Sequence, residues 1–211
     1  MSAGLTPFKL ATIVVLTSEV IRNSNAEAVV RQALLNSVAG SLDAALFGND
    51  AATPELRPAG LLYDIEALEP SDATDKFAAM ANDISALITS VAWIAGNSNV
   101  TLIAAPAQAV RLLMAPARPY LVLMSASLPD KTVVAVANDA VASVAELPSI
   151  DASRDSVVHM NDAPAQLNTG TPAPPTYSMY QTDSVSLRLR WPVSWALRDP
   201  RALAWMQDVT W

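Results

Sequence analysis

The strongest constraint on the fold is a single long helical run that begins at Ser24-Asn25-Ala26-Glu27 and ends at Gly48-Asn49. Ser24 and Glu27 have the spacing of a capping box, in which the hydroxyl accepts from the N3 amide and the Glu side chain reaches back. Ala26, Val29, Val30, Ala33, Leu34, Val38, Leu42, Ala45 and Leu46 follow the helical period. Gly48 and Asn49 are expected to end it. At 1.5 Å per residue such a helix is about 33 Å long, enough to run across a whole domain. Any fold proposed for this chain must lay a sheet or other helices along that rod.

The residues around it predict an α+β chain. Lys9 to Leu16 reads as a strand and Thr17 to Arg22 as a short helical turn. Residues 49–70 form a loop punctuated by Pro54, Pro58, Gly60 and Pro70. A second helix spans about Asp72 to Ala95, with Phe77, Met80, Ile84, Leu87, Ile88 and Val91 as its apolar stripe and Gly96-Asn97 as its stop. Asn99 to Ala104 is a strand. Pro106 then opens a short helix, with Ala107, Val110, Leu113 and Met114 as its apolar face and Pro116 as its end. Tyr120–Met124 and Thr132–Val136 form a strand pair joined by a turn at Pro129-Asp130, and Ser156–Met160 is another strand. Residues 161–176 read as a loop. Ser184 to Trp191 alternates Val185, Leu187, Leu189 and Trp191 with Ser184, Ser186, Arg188 and Arg190, so one face is buried and one polar, up to an interruption at Pro192. Ala202–Met206 closes the series. Regular βαβ alternation is missing, as is any solenoid-length repeat.

The chemistry of the side chains excludes much. The 211 residues include no cysteine and one histidine, which leaves no thiolate or His-rich metal site. Asp151, Asp155 and Asp162 lack an EF-hand pattern and read as solvated loop residues. His159 sits on a half-buried strand with no G-x-S-x-G serine in the chain, so a structural histidine is the simpler reading beside a catalytic one. Six glycines and no Walker or G-x-G-x-x-G pattern argue against nucleotide binding. No catalytic, cofactor-binding or metal-binding residue is therefore assigned. No apolar run approaches the ~18 residues of a membrane span, and the N-terminus lacks a signal-peptide pattern. Net charge is −7, the opposite of a dedicated nucleic-acid reader. Hydrophobic residues make up 52% and charged ones 16%, against a usual charged share of about 25%. Such a surplus implies either an unusually full core or apolar surface left for partner subunits.

Two clusters stand out. Arg188, Arg190, Arg198 and Arg201 are the one basic concentration, suited to subunit or intrachain ion pairs, a solvated face, or DNA phosphates. Trp191, Trp195, Trp205 and Trp211 lie in the last 21 residues, as core under the final strands or as interface anchors, with Trp191 the first choice for core.

Two segments resemble a known family. Residues 9–21, KLATIVVLTSEVI, run into the capped helix and its end LDAALFG at 42–48. Residues 181–191, QTDSVSLRLRW, are followed by WALRDP at 195–200. Together they resemble the major capsid proteins of tailed phages and prophages. The resemblance implies the Hong Kong 97-type capsid fold: a spine helix on a peripheral sheet, with an inserted axial domain. It places 1–16 in the returning strand of an extended loop, 17–48 and 151–191 in a peripheral domain, and 49–150 and 192–211 in an axial domain. It implies no enzyme activity and no cofactor. The expected partners are copies of the same chain, in hexamers and pentamers, with at most weak non-specific contact to packaged DNA and none to membrane. The expected place is the virion, after synthesis in the bacterial host cytoplasm. Eight residues precede Lys9, whereas family members carry an N-terminal arm and the outgoing strand of the loop there, so a subunit lacking them is expected. Alternatives are an encapsulin-type compartment shell and, further off, a small hydrolase using His159.

Overall fold

The computed structural model describes residues 5, 7–22, 26–96, 99–115, 120–159 and 176–211. In order the elements are β1 (Phe8–Thr17), α1 (Ser18–Arg22), α2 (Ala26–Leu46), α3 (Lys76–Ala95), β2 (Val100–Ala104), α4 (Pro106–Met114), β3 (Leu121–Met124), β4 (Val133–Ala137), β5 (Val141–Ala145), β6 (Ser149–Ser153), β7 (Val157–His159), β8 (Thr176–Ser178), β9 (Ser184–Leu197) and β10 (Leu203–Met206). The predicted caps at Ser24 and Pro116, the strand end at Met160 and nearly all of the 161–176 loop lie outside the described residues.

The chain divides into two compact units. One holds 1–8, 39–145 and 193–211; the other holds 9–38 and 146–192. Helix α2 and strand β9 contribute residues to both.

The larger unit is built on the sheet β10-β4-β2-β3. β4 pairs antiparallel with both neighbours, Val133 lying opposite Met206 and Ala104. All five residues of β4 are buried, which explains a continuous Val/Ala run in place of alternation. β3 pairs parallel with β2, Thr101 opposite Leu121, through the α4 crossover. The expected β3–β4 strand pair is therefore wrong: β2 lies between them. The segment after β3 carries each strand's partner choice across the sheet, and a local turn at Pro129-Asp130 does not decide it.

Helix α3 packs its buried stripe, Ala79, Met80, Leu87, Val91 and Ala95, against this sheet. It starts later than Asp72 because Asp75 is the N-cap, its carboxylate accepting from the Ala78 amide at 2.8 Å. Gly96 takes the positive φ of 55° expected of its stop. Among the described residues α3 is the one helix long and apolar enough to cross a membrane by length and composition. It nevertheless carries Asp83 at mid-length, and its stripe covers the sheet. Phe77, expected in the stripe, points outward.

Gly48 has no positive φ, so it is not a left-handed cap. Its role is contact: a Cβ on Gly60 would lie 1.9 Å from the Gly48 carbonyl oxygen. The adjoining backbone is held by Leu61 N donating to Leu46 O at 2.7 Å and Gly60 N to Asp50 O at 3.0 Å.

The smaller unit lays the first part of α2 on the first part of β9. Leu34, Val38 and Leu189 are its buried centre, joined by Leu10, Val14, Val30, Leu35, Ile150, Leu187 and Trp191. β1 flanks β9, and β6 pairs with it antiparallel, Ile150 opposite Leu189. Val29 and Ala33, expected on the buried face of α2, are exposed. Asp183, at φ 44°, ties the start of β9 to α1 through its carbonyl to Ser18 N at 2.9 Å and its carboxylate to Ser18 Oγ at 2.8 Å. β7 and β8 form a separate two-stranded ribbon.

β9 does not stop at Pro192 but runs on to Leu197, where it pairs with β5. β5 ends at Ala145 opposite Val193, and β6 begins at Ser149 opposite Arg190. Pro192, which has no N–H, thus falls where the partner segment is broken, and its carbonyl still accepts from Glu146 N at 3.0 Å. β5 and β6 were not expected from their mixed polar sequences.

Candidate assembly surfaces

The C-terminal tryptophans are internal fixtures. Trp195 Nε1 donates to the Ala59 carbonyl and Trp205 Nε1 to that of Ile65, both at 2.8 Å. Trp191 Nε1 reaches Glu146 O at 2.7 Å and the side chain packs half-buried against the core of the smaller unit, whereas Trp195 and Trp211 are buried more fully. Trp211 is 2% exposed and its indole N–H donates to Asp83 Oδ2 at 2.6 Å. Asp83, 1% exposed, also accepts from Ser71 N at 2.7 Å. Gln108 completes the clasp, donating to Trp211 O at 3.3 Å and accepting from Lys131 N at 3.2 Å.

That clasp explains an inversion in α4. Its buried residues are Gln108, Ala109 and Leu112, while Val110, Leu113 and Met114 face outward. Spacing identifies an apolar stripe, but the polar face carries the hydrogen bonds that hold the helix in place.

Part of what faces outward in the larger unit is therefore apolar. α4 presents Val110, Leu113 and Met114, the last 79% exposed. β3, the edge of its sheet, exposes Leu121, Leu123 and Met124. A short apolar edge strand offers unpaired backbone groups and calls for cover. Phe77 and Trp93 add exposed aromatic surface on α3, and Trp93 is 88% exposed. The sequence leaves the four C-terminal tryptophans open between core and interface and singles out no interface role for Trp93. The available signal for Trp93 was its place among Ala86, Thr89, Ser90 and Ala92 on α3, without bulky neighbours. In the smaller unit Val29, Leu147, Val157 and Tyr180 are exposed.

The arginines divide between the two units, Arg188 and Arg190 in the smaller and Arg198 and Arg201 in the larger. Arg188 pairs with Asp151, its cross-strand neighbour on β6, at 3.1 Å. Asp151 thus lies in a strand and not in a loop. Arg201 closes on Asp199 at 2.8 Å. The Arg201 side chain and its amide hold the Asp199 carboxyl down to about 2 from 3.8. Arg190 and Arg198 are exposed, with no ion pair among the described residues. His159 lies half-buried on β7, and among the described residues no serine or carboxylate is hydrogen-bonded to it. Asp155 is exposed, and Asp162 lies outside the described residues. Among the described residues no group of three His, Asp or Glu could hold a metal ion.

The surfaces and layers define a class: an α+β protein with a spine helix on a sheet and a second helix-covered sheet, the Hong Kong 97-type capsid fold. Solved structures carry that comparison. A chain of Microbacterium phage Oxtober96 superposes with a TM-score of 0.71 at 14% identity, covering 96% of this chain and 73% of its own length. A chain of Mycobacterium phage Adephagia gives 0.68 at 14%, over 98% of this chain and 73% of the other. A chain from the capsid of an empty GTA particle gives 0.63 at 13%, over 98% and 73%. No protein-family model matches the sequence, and no curated protein matches it.

Proposed function

We propose that this protein is a structural shell subunit of a tailed phage or prophage, which self-assembles to enclose genomic DNA. The observation that carries this reading is the capsid fold over nearly the whole chain. The exposed apolar edge formed by α4 and β3 supports it, because a lone subunit gains nothing from such a surface. On this reading 17–48 and 151–191 form the peripheral domain, and 49–150 with 192–211 the axial domain. The partners are further copies of the chain, gathered in hexamers and pentamers. The protein performs no catalysis and needs no cofactor. Its residence is the virion, after synthesis in the bacterial cytoplasm. With a net charge of −7, contact with packaged DNA is weak and non-specific, through cations such as Arg190.

Electron microscopy of the purified protein, with mass measurement in solution, tests the proposal. Closed particles or capsomer-sized rings are expected. A strict monomer at all concentrations refutes it. Particles filled with a cargo protein instead of nucleic acid would assign the encapsulin-type role.

A further inference from the structure

Helix α3 carries an apolar knob at one end and an apolar groove at the other. The knob is Trp93, 88% exposed. Between Phe77 and Trp93 the outward residues of α3 are small or polar (Ala81, Asn82, Ser85, Ala86, Thr89 and Ser90), so the indole stands alone as a large apolar surface of the kind that interfaces cover. The groove is about 570 Å³ and is lined by Lys76, Phe77, Met80, Arg111, Met114 and Trp211, among others. That volume falls within the roughly 300–1,000 Å³ range of clefts that take up small molecules. Phe77 and Met114 form an exposed apolar rim. Arg111 is exposed, with no ion pair among the described residues. Guanidinium and ammonium groups at the edge of an apolar slot suit the electron-rich face of an indole better than that of any other side chain.

The geometry forbids the two from meeting within one chain. Phe77 and Trp93 are sixteen positions apart, about 24 Å along the axis and about 160° around it. Both belong to the same compact unit, so their opposed directions are fixed by the helix itself. A knob and a complementary groove on different faces make a head-to-tail contact, which generates rings when the rotation closes.

We infer that Trp93 of one copy seats in the groove bounded by Phe77, Met114 and Arg111 of the next copy. This rests on the shell-subunit reading and names the residues of one of its contacts. Tryptophan and arginine are enriched among the residues that dominate interface energetics, and among the described residues neither Trp93 nor Arg111 has a side-chain hydrogen bond or ion pair.

Association of Trp93→Ala, Trp93→Phe and Met114→Ser is compared with the unaltered protein by mass measurement across a dilution series. Circular dichroism serves as the folding check, taken at a dilution where every variant is dissociated because association raises apparent stability, and it should be unchanged because Trp93 and Met114 are outward. Trp93→Ala should weaken association at least about 30-fold, and Trp93→Phe should recover part of the loss. Met114→Ser should weaken it from the groove side. Thr210 also lines the groove, its carbonyl accepting from Lys76 Nζ at 2.6 Å, and the chain has no cysteine, so Ser90→Cys on one copy and Thr210→Cys on another, joined by a short bis-maleimide, report the contact directly. A 90–210 cross-link in preference to a 90–56 control made with Leu56→Cys is expected. Oligomers that survive Trp93→Ala within threefold, or that give no preferential 90–210 cross-link, overturn this contact and leave the shell reading intact. A protein that never associates overturns both.

Discussion

Replacing Trp211 by Phe removes one hydrogen bond from the most enclosed polar cluster of the larger unit. Asp83 is 1% exposed and accepts two N–H donors, the Trp211 indole at 2.6 Å and the Ser71 amide at 2.7 Å. Phe fills most of the apolar slot but presents no donor. The carboxylate then keeps one partner and cannot recruit water in a site this closed. A hydrogen bond to a charged group is worth about 1.5–3 kcal/mol. The smaller ring forfeits about 1 kcal/mol more in packing. The sum is about 3 kcal/mol. For a chain of this size each kcal/mol moves Tm by roughly 2–4 °C, so a fall of about 6–12 °C is expected. A thermal melt reads that fall and urea unfolding reads the free-energy loss, both followed by circular dichroism at one fixed protein concentration because association raises apparent stability. Asp83→Asn supplies the second edge of a cycle. It turns one acceptor into a donor facing Trp211 or Ser71, so it should cost much less once Trp211 is already Phe. A Trp211→Phe loss below 0.5 kcal/mol, or strict additivity with Asp83→Asn, would refute the reasoning that this bond clamps α3 to the chain's last residues.

Other substitutions discriminate the packing. Gly60→Ala should cost about 3 kcal/mol, because its Cβ would sit 1.9 Å from the Gly48 carbonyl oxygen, whereas Gly40→Ala meets nothing within 4 Å and should stabilise α2 by about 1 kcal/mol; thermal melts of both decide. Leu87→Ala, at a fully buried position of α3, should cost about 2–5 kcal/mol in denaturant titration. The Asp199 carboxyl, lowered to about 2 by Arg201, contributes stability that is present above its unfolded value of 3.8 and is lost as pH falls toward 2; Arg201→Gln should return its NMR titration midpoint toward 3.8.

Much of the fold was legible because local physics dictates it. Pro106 opens α4 since a first-turn residue needs no N–H partner. Gly96 ends α3 since its φ of 55° suits a residue without Cβ. The β-branched run of β1 and the alternation of Val185 and Leu189 in β9 mark strands in any context. The candidate surface was less legible. The composition leaves a full core and surplus apolar surface both open, as it leaves the four C-terminal tryptophans between core and interface, and each of them donates its indole N–H to an acceptor within the chain.

The sequence by itself determined the helices and most of the strands, because spacing and capping act over a few residues, whereas β5, β6 and β8 are strands only through their pairing with β9 and β7. Tertiary structure alone decided which face each element hides and which strand it joins. Gln108 is buried and Met114 exposed on the same helix because Trp211 and Lys131 arrive from distant parts of the chain to satisfy the amide. β3 pairs with β2 and not with β4, and Pro192 survives inside β9 because its would-be partner breaks at residues 146–148. Those outcomes depend on groups that are remote in sequence, so no local pattern can encode them.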